Sequence, residues 1–118
     1  MAKVHPDAVL AGVREICAQL PESEEYLMHG HPSFRAAKKC FVIMGHESDT
    51  ATLSIKVPIM DQPFFLEDPR FHRTHYIGQH GWVTLTLEGE VDWDEVRTLV
   101  VKSYRGAALK RMLKVLDS

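Results

Sequence analysis

Nowhere in these 118 residues does an unbroken apolar run approach the ~18–20 residues that a helix needs to cross a bilayer. No membrane partner is therefore expected. Cysteine is scarce too: Cys17 and Cys40 are the whole complement. That excludes the disulfide framework that staples small secreted domains. Both sit inside apolar patterns and read as buried, unbridged thiols in a reducing cytoplasm. Excess positive charge is missing, with 14 Lys and Arg against 16 Asp and Glu and a net charge of −2. This argues against a strongly cationic nucleic-acid binder. There is no phosphate-binding loop, no Gly-x-Gly-x-x-Gly, no Gly-x-Ser-x-Gly elbow and no paired-carboxylate motif. No catalytic residue, cofactor or metal is assigned, and the chain reads as a non-enzymatic protein. Repeats and low-complexity stretches are also lacking. Lys3, His5 and Asp7 stand where a secretory leader would carry its apolar core.

What is present is an ordinary globular composition, 45% hydrophobic and 25% charged. A chain of this length buries about two-thirds of its unfolded surface and needs no metal or disulfide to fold. A single domain over residues 1–118 is expected. Val9, Val13, Ile16, Cys17 and Leu20 recur at helical spacing over residues 6–20, with Pro6 in the first turn and Pro21 after the last. Residues 22–25 read as an acidic linker or strand entry, 26–28 as a short extended piece and 33–36 as a short strand. Residues 40–44 are apolar, aromatic and β-branched, as a buried strand is. A polar loop over 45–50 leads to an alternating strand over 52–57. A short helix over 61–66 has Pro63 in its first turn and Phe64, Phe65 and Leu66 facing inward. Residues 70–81 read as a basic, His-rich connection. Trp82 to Leu87 alternates as a half-buried strand. A last helix begins at Asp92 or Asp94 with Val96, Leu99, Val100 and Tyr104 on one face, and Gly106 breaks it before a helical tail. Strands in succession flanked by helices predict an α+β, two-layer domain in the order α-β-β-β-α-β-β-α. Its antiparallel sheet carries helices on one side.

Charge is distributed unevenly. Residues 29–39 hold Arg35, Lys38 and Lys39 and no acid, and residues 70–82 hold Arg70 and Arg73 with three histidines and no acid. Acids gather at 22–25 and 88–95. The helix dipole accounts for acids at helix starts and bases at helix ends, but not for the first two clusters. Such segregation can build a basic face on an acidic protein.

The run His29-Gly30-His31-Pro32-Ser33-Phe34-Arg35 combines imidazoles, an aromatic and a guanidinium around two residues that constrain the backbone. Gly30 admits positive φ, and Pro32 fixes its own φ and extends His31. His29, Gly30, Pro32 and Gly81 read as the framework of this site. Ser103 and Tyr104 would bring two hydroxyls beside it. His31, Phe34, Arg35, Lys39, Lys56, Tyr76 and Trp82 read as its binding face, cations for phosphate and aromatics for stacking. An anionic partner follows, nucleic acid first. A protein-interaction module and a small enzyme or metal site built on the histidines are the alternatives. The molecule is expected as a monomer or weak dimer.

In order and spacing, this run, the strand 40–44, Leu53-Ser54-Ile55-Lys56, Tyr76 through Val83 and Ser103-Tyr104 resemble the MmcQ/YjbR family. The resemblance spans nearly the whole chain. It implies a compact α+β fold with an antiparallel sheet, similar in topology to type III secretion chaperones. It also implies a bacterial, cytoplasmic protein, of a kind commonly labelled DNA-binding on the idea of a double-wing surface. The acids Glu47 and Asp49 in the expected hairpin tip are a departure from what a DNA-contacting wing needs.

Overall fold

The computed structural model describes residues 6–118; Lys3 and His5 lie outside them. The chain runs α1 (Pro6–Ala18), β1 (Ser23–Met28), β2 (His31–Ala36), β3 (Lys39–Glu47), β4 (Thr50–Lys56), α2 (Gln62–Leu66), β5 (Phe71–Arg73), β6 (Trp82–Leu87), α3 (Trp93–Ala107) and α4 (Lys110–Leu116). The strands form one six-stranded sheet in the order β1-β2-β3-β4-β6-β5, and every pairing is antiparallel. The α+β architecture is as the sequence predicts. Four strands rather than three precede α2, because the acidic stretch 23–28 joins the sheet as its edge. Glu24 and Glu25 suit that place, since an edge strand leaves one side of its backbone unpaired and charge discourages further pairing.

Tight turns join the first strands. His29 and Gly30 have φ of 51° and 81°, the two positive values that a two-residue hairpin turn demands. Ala37 and Lys38, at 52° and 67°, turn β2 into β3. The expected polar loop 45–50 is mostly strand, since Gly45, His46 and Glu47 pair with Thr52, Ala51 and Thr50.

Alternation sorts the sheet into two faces. Phe34, Val42, Ile55 and Val83 share one row, and Met44, Leu53, Leu85 and Phe71 the next. This face joins Val9, Val13, Ile16 and Cys17 of α1 and Val96, Leu99, Val100 and Tyr104 of α3 in one buried core. The opposite face carries Ser33, Ile43, Ser54, Thr84 and His72 in register. There Ser54 and Thr74 each hydrogen-bond to the Thr84 hydroxyl at 2.8 Å.

Asp92 caps α3, its side chain accepting from the backbone N–H groups of Asp94 and Glu95. Gly106 lies inside α3, which ends after Ala107, where Ala108 turns extended at ψ 149°. Phe64 is 73% exposed, whereas Phe65 packs edge-on against Phe71. The inward-facing reading of residues 64–66 therefore fails at its first member.

Cys17 is buried and unbridged, and burial pushes its thiol from the usual 9 up to about 12. Between those values the unfolded chain has released a proton that the folded chain keeps. Stability is thus complete below pH 9 and falls as pH rises toward 12, by up to about 1.4 kcal/mol per pH unit. Urea midpoints should decline from pH 9 to 10, a window below the titration of Tyr26, whose burial raises its hydroxyl from 10 to about 12. Cys17→Ala should make that decline shallower, leaving the share of Cys40, whose thiol burial also raises; an unchanged slope would exclude the Cys17 thiol as a source.

Candidate functional site

The expected binding face is divided by the fold. Phe34 and Trp82 are 3% and 7% exposed, so neither ring is free for a ligand. Arg35 is occupied: it pairs with Glu24 and lies 4.5 Å from the centre of the Tyr26 ring. His31 is exposed and its ring lies beside Gly45 of β3, where a Cβ would approach its Nδ1 to 3.7 Å. Tyr76 stands in the loop after β5, 94% exposed. His29 occupies the β1–β2 turn and its ring anchors nothing among the described residues. Trp82 is the cross-strand partner of Lys56, but of the seven only Lys39 and Lys56 line a common groove.

They meet in a groove of about 610 Å³ at the end of the β3–β4 hairpin, where the last turn of α3 closes over the sheet. Lys39, Lys56, Lys102 and Arg105 rim it; Cys40, Val57, Pro58 and Ala107 form much of its wall, and no acidic side chain lines it. Lys102 lies 3.6 Å from Asp61 and Arg105 is paired with Asp117 at 2.6 Å. Both pairs are exposed and therefore weak. Lys39 and Lys56 have no acidic partner among the described residues. Cys40 is half-buried, and burial raises its thiol, which donates to the Val42 carbonyl at 3.4 Å.

A break in the sheet shapes this groove. Phe34 faces Val42 while Arg35 faces Cys40, so Phe41 is an extra residue in β3, a bulge. The β3–β4 ladder stops at Val42 and Ile55. Beyond it the Ser103 hydroxyl is inserted: it accepts from the Lys56 N–H at 3.0 Å and donates to the Phe41 carbonyl at 2.7 Å. Next to it the Tyr104 hydroxyl donates to the Pro21 carbonyl at 2.6 Å. The two hydroxyls therefore serve the sheet break and the α1–β1 link, not the His29–Pro32 turn. Gly81 holds the other side, with φ of 99° and its carbonyl accepting from the Val57 N–H at 3.0 Å.

Lys102 and Arg105 were not legible as site residues by motif. Their three-residue spacing on a helix that ends in bases is the signal that marks one face. The histidines do not converge. Only the His72 and His75 rings lie near each other among the described residues, with centroids 5.8 Å apart and planes tilted by 46°. Among the described residues no group of three or more His, Cys, Asp or Glu is placed to hold a metal, and no helix is long and apolar enough to cross a membrane.

The opposite end of the hairpin is acidic. A cleft of about 470 Å³ there is lined by Glu47, Glu88, Glu90, Asp92 and Glu95, with Arg70 bridging Glu95 and Asp68.

A family model described as YjbR matches residues 18–106. A crystal structure of a Deinococcus radiodurans protein described by a DUF419 domain is 22% identical, with a TM-score of 0.70. The match covers 92% of this chain and 87% of that one. A crystal structure of a Pseudomonas syringae protein is 16% identical, with a TM-score of 0.54 over 65% of this chain and 76% of that one. At these identities the likeness shows the fold alone. No curated protein matches the chain.

Proposed function

Because this chain belongs to the YjbR family, we propose, on that premise, that it is a non-enzymatic binding protein whose cationic groove takes a phosphate-bearing polyanion, nucleic acid first. One observation carries the reading: four cations rim a groove whose wall holds no acid. Oppositely charged ligands gain there by releasing their counterions, whatever the protein's net charge. The contact residues differ from those that the sequence suggested. Lys39 and Lys56 keep the role, Lys102 and Arg105 join them, and Phe34, Trp82 and Arg35 leave it. Two unbridged cysteines are in keeping with a reducing compartment such as the cytoplasm.

The test is fluorescence anisotropy with labelled DNA and RNA at ~50 and ~200 mM salt, a range over which phosphate-driven binding weakens steeply. Micromolar binding is expected at the lower salt. The doubly substituted Lys39→Ala, Lys56→Ala chain should lose roughly tenfold or more and show a shallower salt dependence. Arg35→Ala should bind as the parent does, because Arg35 does not line the groove. Failure to bind at the lower salt, or binding indifferent to the two lysines, would overturn the proposal.

A further inference from the structure

We infer that the groove takes an unpaired nucleotide, with its phosphate on the lysine rim and its base against the apolar wall; this rests on the polyanion reading above. The groove is not only cationic. Val57, Pro58, Ala107 and Cys40 line it between the charges, and its volume falls within the ~300–1,000 Å³ range of small-molecule sites. A duplex would leave that wall without a partner, because its bases are stacked inside and it presents phosphates outward. An unpaired nucleotide presents both a phosphate and a flat base face, the pairing that single-strand sites use.

The apolar surface also continues beyond the groove. Pro58 leads into Ile59 and Met60, which are 53% and 87% exposed, and Phe64 follows at 73%. The backbone N–H of Phe64 donates to the Asp61 carbonyl, and Asp61 pairs with Lys102 on the rim. The ledge therefore adjoins the cations within one helical turn. It is apolar side chains exposed together, rather than singly, that mark an interaction surface, and an exposed phenyl ring beside a cationic rim suits a neighbouring base.

Three probes separate the possibilities: an oligothymidylate of about twelve nucleotides, a hairpin duplex and a free thymidine mononucleotide, each with the parent chain and the Met60→Ala, Phe64→Ala variant. Both substituted side chains are exposed, so the fold should persist; circular dichroism checks this. The single strand should bind about tenfold tighter than the duplex, and the ledge variant should lose about fivefold or more for the strand alone. Free mononucleotide competing at micromolar concentration would assign the site to a soluble nucleotide; competition only at millimolar concentration would assign it to a strand. Either result supports the unpaired-nucleotide reading. Duplex binding as tight as the strand's, still lost with Lys39 and Lys56, overturns this inference and leaves the groove proposal standing. Strand binding unchanged in the ledge variant overturns it too and frees the ledge for a protein partner. If no probe binds, both readings fall.

Discussion

Ser103→Ala should cost about 2–4 kcal/mol of stability, a large effect for the loss of one oxygen atom. The hydroxyl serves two backbone groups that the Phe41 bulge separates, the Lys56 N–H and the Phe41 carbonyl. Ser103 itself is 2% exposed. An unpaired buried backbone group costs about 1–3 kcal/mol, well above the net value of an ordinary hydrogen bond. Alanine would leave both groups without a partner. Chemical denaturation checks it, and the midpoint should fall without a change in slope. A variant as stable as the parent would mean that β3 and β4 close up and pair directly once the hydroxyl is gone. Because Lys56 lines the groove, the same substitution should also loosen whatever the groove holds.

Gly81→Ala should be worse still, costing about 3 kcal/mol or more, or preventing accumulation of folded protein. Two penalties coincide there. The φ of 99° is one that side chains rarely adopt, and a Cβ would stand 2.2 Å from the Val57 carbonyl oxygen. That oxygen belongs to backbone and cannot swing aside, since Val57 is itself tied to the Gly81 carbonyl. Gly30→Ala is the matched control. Its φ is 81°, but a Cβ there meets nothing within 4 Å, so only backbone strain of about 1 kcal/mol remains. Thermal melts of the two variants should therefore differ by several-fold in their shifts. Equal shifts would show that backbone strain alone decides both positions.

How legible this was in the sequence depends on how local each cause is. The helices announced themselves: Val9, Val13, Ile16 and Cys17 face the core as their spacing predicts, and Asp92 caps α3 through its own side chain. The middles of β3 and β4 and the whole of β6 carry apolar side chains on one face and are equally plain, whereas the ends of β3 and β4 over 45–50 read as a loop and are strand. β1 is not plain, because an edge strand needs no apolar alternation and its Ser-Glu-Glu looks like a linker. β5 is only three residues long and is fixed by pairing with β6. The site is less legible. Phe34 and Trp82 sit among cations in sequence, yet burial is decided by register across strands. The groove unites residues from 39 to 107, a distance over which no motif speaks. Nor does the sequence show that Ser103 completes a ladder 62 residues away.

The hairpin of β3 and β4 has lysines at one end and a cluster of carboxylates at the other. Such a molecule behaves in solution as a charged compass needle. Its monopole is small and negative, and these two clusters contribute a dipole along the strands. A polyanion approaching from afar meets weak repulsion, while at closer range its field turns the protein until the cationic pole leads. Encounter rates should accordingly respond to ionic strength much more than a net charge of −2 suggests. In an applied field the molecule should show electric birefringence out of proportion to its slow electrophoretic drift.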